Sequence, residues 1–141
     1  MQGLQEIWGL ELGEDSWATA GYLGAINSGD ATCGLLIGSS VAIGLRSGQG
    51  KTCLPLEDVT ERNKAIAGVN ALFGDFIKEF ETTQCEKLTQ CNFSKPGEGE
   101  RYLKEEIYKN RCFKFFNFIM NRFIETEKRS LNETDLNQAS L

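Results

Sequence analysis

The stretch 30–50, DATCGLLIGSSVAIGLRSGQG, constrains the fold more than any other, because it joins a cysteine, recurring glycines and an unbroken apolar run. Asp30 is a good N-cap, since its carboxylate can accept hydrogen bonds from the free amides of a first helical turn. Ala31, Thr32 and Cys33 then take the first three helical positions. A thiol there lies near the positive end of the helix dipole, which favours its thiolate. Gly34, Gly38 and Ala42 follow at intervals of four and form a smooth stripe on which a second helix can lie close. A glycine inside a helix costs about 1 kcal/mol relative to alanine, so the stripe needs a packing reason. Leu35, Leu36, Ile37, Val41, Ile43 and Leu45 make the other faces apolar too, and a helix apolar all round is buried in a core or in a membrane. The run 33–45 is shorter than the about 20 residues a membrane span requires. It reads as the central helix of a bundle in water.

The rest of the chain limits the chemistry. Its 141 residues suit one domain with its own core. A net charge of −5 argues against a nucleic-acid partner held through its phosphates. Histidine is absent, which removes Ser-His-Asp and Cys-His nucleophiles, imidazole bases and imidazole metal ligands. Metal or redox chemistry then falls to cysteine or carboxylate. The five cysteines, at 33, 53, 85, 91 and 112, are odd in number and scattered, which makes a poor disulfide framework. The N-terminal stretch shows no basic region followed by an apolar core, so no secretion leader is read there and a reducing cytoplasm is the expected compartment. The sequons at Asn92 and Asn132 are accordingly read as chance matches.

Helical spacing continues on both sides of the central stretch. Residues 3–10 suit a short helix. Asp15 or Ser16 can cap a second one over SWATAGYLGAI, with Trp17, Tyr22 and Leu23 turned inward, and residues 27–30 turn into the central helix. A longer helix is expected from Leu56 or Glu57 to about Glu81, since Ile66, Val69, Phe73, Phe76 and Phe80 recur at spacings of three and four. Residues 85–91 form a short helix or turn and residues 92–99 a loop. A last helix is expected over about 100–127, with Leu103, Ile107, Cys112, Phe116, Ile119 and Phe123 on one face. The polar residues 128–141 read as a frayed tail behind a single domain, 1–127. Together these segments predict an all-α fold, a compact four- to five-helix bundle around the glycine-rich helix.

Few signals carry chemistry by themselves. Gly50-Lys51-Thr52 ends like a phosphate-binding loop, but Leu45 stands where that motif needs its first glycine, and a helix rather than a strand precedes it; both argue against nucleotide binding. Cys33 has two readings, a small residue buried beside glycines or a thiolate poised at a helix start. Cys85 and Cys91, with five residues between them, fall outside CxxC spacing. Cys112 reads first as a core residue of its helix, and Cys53 falls in a polar loop. Glu105 and Glu106 suit a solvated face. The phenylalanines at 113, 115, 116, 118 and 123 are mostly core, and their excess suits a contact between two copies or a hydrophobic cofactor pocket.

The order of these cysteines carries a family resemblance. Cys33-Gly34-Leu35-Leu36-Ile37-Gly38, with Gly44-Leu45-Arg46-Ser47-Gly48 behind it, the phenylalanine-rich stretch 76–80, Cys85-Glu86-Lys87-Leu88 and Cys112 together resemble the redox-active proteins named for the pattern C_GCAxxG_C_C. Cys91 with residues 92–97 resembles a loop of some members. The likeness covers about residues 3–124. Leu35 stands where the signature has a small alanine, and the family's first cysteine has no counterpart. The family's cysteine set is thus reduced to Cys33, Cys85 and Cys112, with Cys91 or Cys53 as substitutes. The resemblance implies a carrier of a redox centre, associated with transporters or oxidoreductases.

Two functions follow as expectations. In the first, Cys33, Cys85 and Cys112 converge at one end of the bundle, with Gly34, Gly38 and Cys91 beside them. They either ligate an Fe–S cluster or another thiolate-bound metal for electron transfer, or cycle as a thiol/disulfide couple, with Cys33 attacking and Cys85 or Cys112 resolving. A redox partner protein and a homodimer are the implied partners, with no nucleic acid and no membrane insertion. In the second, the cysteines are merely buried and the chain is a structural or interaction module.

Overall fold

The computed structural model describes residues 1–11, 13–51 and 56–138, apart from the side chains of Asp15, Ser16 and residues 129–138. The chain folds as an all-α bundle built on three long helices, α3 (Gly34–Gly48), α4 (Val59–Phe80) and α7 (Phe113–Gln138). Shorter pieces complete it: α1 (Gln2–Ile7), a 3-10 turn (Glu14–Thr19), α2 (Tyr22–Ile26), α5 (Cys85–Thr89), α6 (Glu98–Lys104) and a π-turn (Tyr108–Cys112). Among the described residues, no helix is long and apolar enough to cross a membrane.

Helix α3 is the buried axis. Leu36 and Ala42 are fully enclosed. Ser39 is buried as well, and its hydroxyl donates to the Leu35 carbonyl at 2.7 Å, so a polar group enters the core already paired. The glycine stripe admits close neighbours: a Cβ on Gly34 would stand 3.2 Å from Ile26 Cδ1, and one on Gly38 would stand 3.1 Å from the Met1 nitrogen. The neighbour at Gly34 is the short helix α2, and at Gly38 it is Met1, just ahead of α1.

The start of α3 differs from its sequence expectation. Cys33 is the N-cap, with φ −51° and ψ 126°, and Asp30 does not cap the helix. The Asp30 carboxylate accepts instead from Gln84 Nε2 at 3.4 Å. The backbone before Cys33 is committed elsewhere. The Cys33 amide donates to the Thr83 carbonyl at 2.7 Å and the Cys85 amide to the Ala31 carbonyl at 2.8 Å, which makes one isolated antiparallel bridge between Thr32 and Gln84. Extended residues can make that exchange and helical ones cannot.

Helix α4 runs antiparallel to α3 and α7. Its start is capped by Asp58, whose Oδ1 accepts from the Glu61 amide at 3.1 Å. Lys51 of the GKT sequence lies 3.3 Å from the same carboxylate, so its charge serves this helix start. The far end closes on Glu81 in the left-handed region, φ +63°. The buried stripe of α4 centres on Leu72 and Phe76, whereas Ile66 is half exposed. Phe76 and Phe80 pack on Phe115 at ring separations of 5.8 and 4.8 Å, and Arg122 Nη2 meets Asp75 at 2.9 Å. Midway along α7, Trp8 stands edge-on to Phe123 at 5.3 Å, and Arg46 lies over the Trp8 ring while pairing with Glu127.

The expected last helix is three pieces. Glu106 takes φ +49°, which ends α6, and the wider π-turn that follows rotates the chain before α7 begins. The buried face is consequently Ile107, Phe115, Ile119 and Phe123, while Leu103 and Phe116 stand exposed. Trp17 and Leu23 also face outward, contrary to their expected burial, because residues 14–26 break into a 3-10 turn and a short helix that present no continuous apolar stripe to the core.

Candidate functional site

Three cysteines far apart in sequence meet at the end of the bundle where α3 and α7 begin and α4 ends. Each marks a helix start: Cys33 caps α3, Cys85 is the first residue of α5, and Cys112 closes the π-turn leading into α7. The backbone bridge places Cys33 and Cys85 as diagonal neighbours, since their two amides make its two hydrogen bonds. A cavity of about 790 Å³ opens here, lined by all three cysteines and by Gly34. Cys33 is buried, Cys85 and Cys112 are half-buried, and all are free thiols.

Burial overrides the helix dipole at these thiols. The amides of Leu35 and Leu36 draw the Cys33 thiol down, as a helix start should, but burial pushes it up by more and the net shift is upward. Cys85 is pushed up to about 11, first by burial, then by the neighbouring Cys33 and Cys112, against a hydrogen bond with Thr89. The expectation that position alone favours a Cys33 thiolate is therefore corrected: its desolvation is the larger effect.

The other anticipated residues are distributed differently. Cys91 is fully buried but does not line the cavity; Arg101 Nη2 donates to its sulfur at 3.3 Å. The same guanidinium holds the Gln90 carbonyl at 2.7 Å and Glu98 Oε1 at 2.8 Å. Arg101 and the Asn92 amide together pull the Glu98 carboxyl down to about 2. This knot ties α6 to the loop after α5. Gly38 faces Met1 rather than the cavity. Cys53 lies outside the described residues.

Three participants escape a reading of the sequence alone. Tyr102 places its hydroxyl 3.4 Å from Cys112 Sγ, and burial, then Cys112, hold the phenol above its usual range. Tyr22 donates to the Thr32 carbonyl at 2.8 Å and packs beside Gly34, which steadies the segment entering Cys33. Thr89 bonds the Cys85 carbonyl at 2.7 Å. Only Thr89 leaves a legible signal, since it follows Cys85 by one helical turn. Tyr102 reaches Cys112 only because the chain breaks between them.

Thiolates suit soft metals and Fe–S clusters. Among the described residues, however, no three His, Cys, Asp or Glu side chains are grouped as a metal ion requires. The donor arrangement of the described residues does not fit a metal centre. An all-α bundle that lines one apolar cavity with three cysteines defines a small helical protein with a cysteine-lined pocket. The chain belongs to the family described as "putative redox-active protein (C_GCAxxG_C_C)", whose model matches residues 3–126. No curated protein and no solved structure matches the chain.

Proposed function

We propose that the chain is a thiol-based redox protein in which Cys33 and Cys85 form the dithiol/disulfide couple and Cys112 is the third, exchanging thiol. The observation that carries this reading is the meeting of the three cysteines in one cavity. Two features favour Cys33 and Cys85 as the pair. Their amides share one backbone bridge, and both residues line the same cavity. Oxidation joins the two sulfurs and releases two electrons and two protons, and reduction reverses this. Tyr102 keeps Cys112 hydrogen-bonded at the edge of the pair, where its thiolate can attack the disulfide and reopen it. The couple works with a redox partner and suits a reducing compartment such as the cytoplasm.

The test is a redox titration of protein purified under anaerobic conditions. In graded thiol/disulfide buffers, followed by alkylation and peptide mapping, one intramolecular disulfide between Cys33 and Cys85 is expected, with a single midpoint. Cys33→Ser and Cys85→Ser abolish it, and Cys91→Ser leaves it in place. Iron, zinc and acid-labile sulfide are measured on the same sample. Stoichiometric metal that disappears in Cys33→Ser would assign these residues to a metal centre and overturn the couple.

A further inference from the structure

The cavity around the thiols is larger and more apolar than a disulfide couple alone requires. At about 790 Å³ it has the size of a small-molecule site. None of its lining residues is charged; Leu35, Leu88, Phe93, Tyr108, Phe115 and Phe116 stand among its walls. The nearby guanidinium of Arg101 is turned away onto Cys91, Gln90, Glu98 and Glu105. An anionic substrate, such as a carboxylate-bearing thiol peptide, would lose its hydration here without a cation to receive it. The occupant is therefore neutral and apolar. Aromatic rings enter the lining from the loop after α5, from α6, from the π-turn and from α7, and rings on several sides favour a flat, ring-shaped guest. At the mouth, Leu103 and Phe113 remain 65 % and 57 % exposed, so the entrance is apolar as well. A dithiol gives up two electrons together with two protons. A quinone is a flat, neutral organic acceptor that takes both.

We propose that the cavity binds a neutral lipophilic quinone and that the Cys33–Cys85 dithiol reduces it there, an inference that rests on the dithiol reading above. Two S–H bonds break and one S–S bond forms. Two electrons and two protons pass to the quinone's carbonyl oxygens and yield the hydroquinone. With the Cys112 thiol donating to the Tyr102 oxygen, the Tyr102 O–H is left to donate to the guest.

Duroquinone is the probe, because methyl groups occupy all four ring positions between its carbonyls and thiols have no unsubstituted ring carbon to add to. The pre-reduced full chain is mixed with duroquinone without oxygen, the hydroquinone is followed by absorbance, and the disulfide is mapped after alkylation. One hydroquinone per Cys33–Cys85 disulfide is expected, with a rate that saturates in duroquinone. Leu103→Arg, at an exposed rim position, lowers the rate at low duroquinone at least tenfold while circular dichroism shows the fold intact. Diamide, a small polar thiol oxidant, separates the two layers of the argument. If diamide forms the disulfide but duroquinone neither saturates nor responds to Leu103→Arg, the quinone site is wrong and the dithiol couple stands. If neither oxidant forms it, both fail. If the reduced chain sediments as a dimer that excludes duroquinone, the apolar mouth belongs to a second copy and the quinone proposal is overturned.

Discussion

At Cys33, two electrostatic effects oppose each other. A helix start supplies amides that favour a thiolate, with an effect of about 0.3–1 kcal/mol for an exposed charge. Removing the sulfur from water acts the other way and wins there, and at Cys85 it wins over the hydrogen bond with Thr89. Thiolate is the reactive form, so reactivity should follow its fraction. With Cys85 near 11, alkylation of that thiol by iodoacetamide is expected to rise about tenfold per pH unit from 7 to 10 and to level off only above 11. Stability moves in the opposite sense. A thiol whose folded value is raised contributes stability that is present below its unfolded value, about 9, and lost as the pH climbs through about 11. A plateau in the Cys85 alkylation rate already at pH 8.5 would remove the burial argument. The sequence reveals that Cys33 stands at a helix start, because glycine and apolar spacing mark the helix behind it. It cannot reveal the depth of the sulfur, which depends on α2, α5 and the π-turn folding over it.

At the scale of elements, the left-handed residues set the ends. Glu81 and Glu106 carry φ of +63° and +49°, conformations that cost a non-glycine residue about 1–2 kcal/mol. Glu81→Gly is expected to raise stability by about 1 kcal/mol, since α4 then ends on the residue type that best tolerates that geometry. Glu106→Gly relieves the same strain but also removes the exposed ion pair with Lys109, so its gain is smaller. Urea midpoints of the two variants check the order, and a loss in either would contradict the assigned backbone. These residues also explain where the sequence misleads. The core of α4 is legible because Val69, Phe73, Phe76 and Phe80 repeat at helical spacing over an unbroken helix. The last helix is not, because a glutamate in the left-handed region has no sequence signature. A periodic reading runs straight through Glu106 and assigns Leu103 and Phe116 to a face they do not share with Ile119.

Across the whole molecule, α4 joins the long core to the site. Phe76 is fully enclosed and touches Phe80, Phe115 and Phe118, with ring separations of 4.6, 5.8 and 5.9 Å. Phe115 belongs both to this cluster and to the cavity wall, so the packing of α4 on α7 reaches the thiols through one ring. Truncating Phe76 removes its transfer free energy and leaves a void that the facing helices fill only in part; such changes cost about 3–5 kcal/mol. Phe76→Ala should therefore lower the urea midpoint steeply. It should also loosen Phe115, so that Cys112 and Cys85 become alkylated faster at fixed pH even under conditions where the variant remains folded. Ile66→Ala provides the contrast. Its side chain belongs to the same sequence stripe but is 50 % exposed, so its loss should cost under about 1 kcal/mol and leave the thiols untouched. Equal costs for the two variants would place the buried face of α4 on the sequence stripe rather than on Leu72 and Phe76. A large cost for Phe76→Ala without faster alkylation would separate the core from the site and leave Phe115 a wall held by α7 alone.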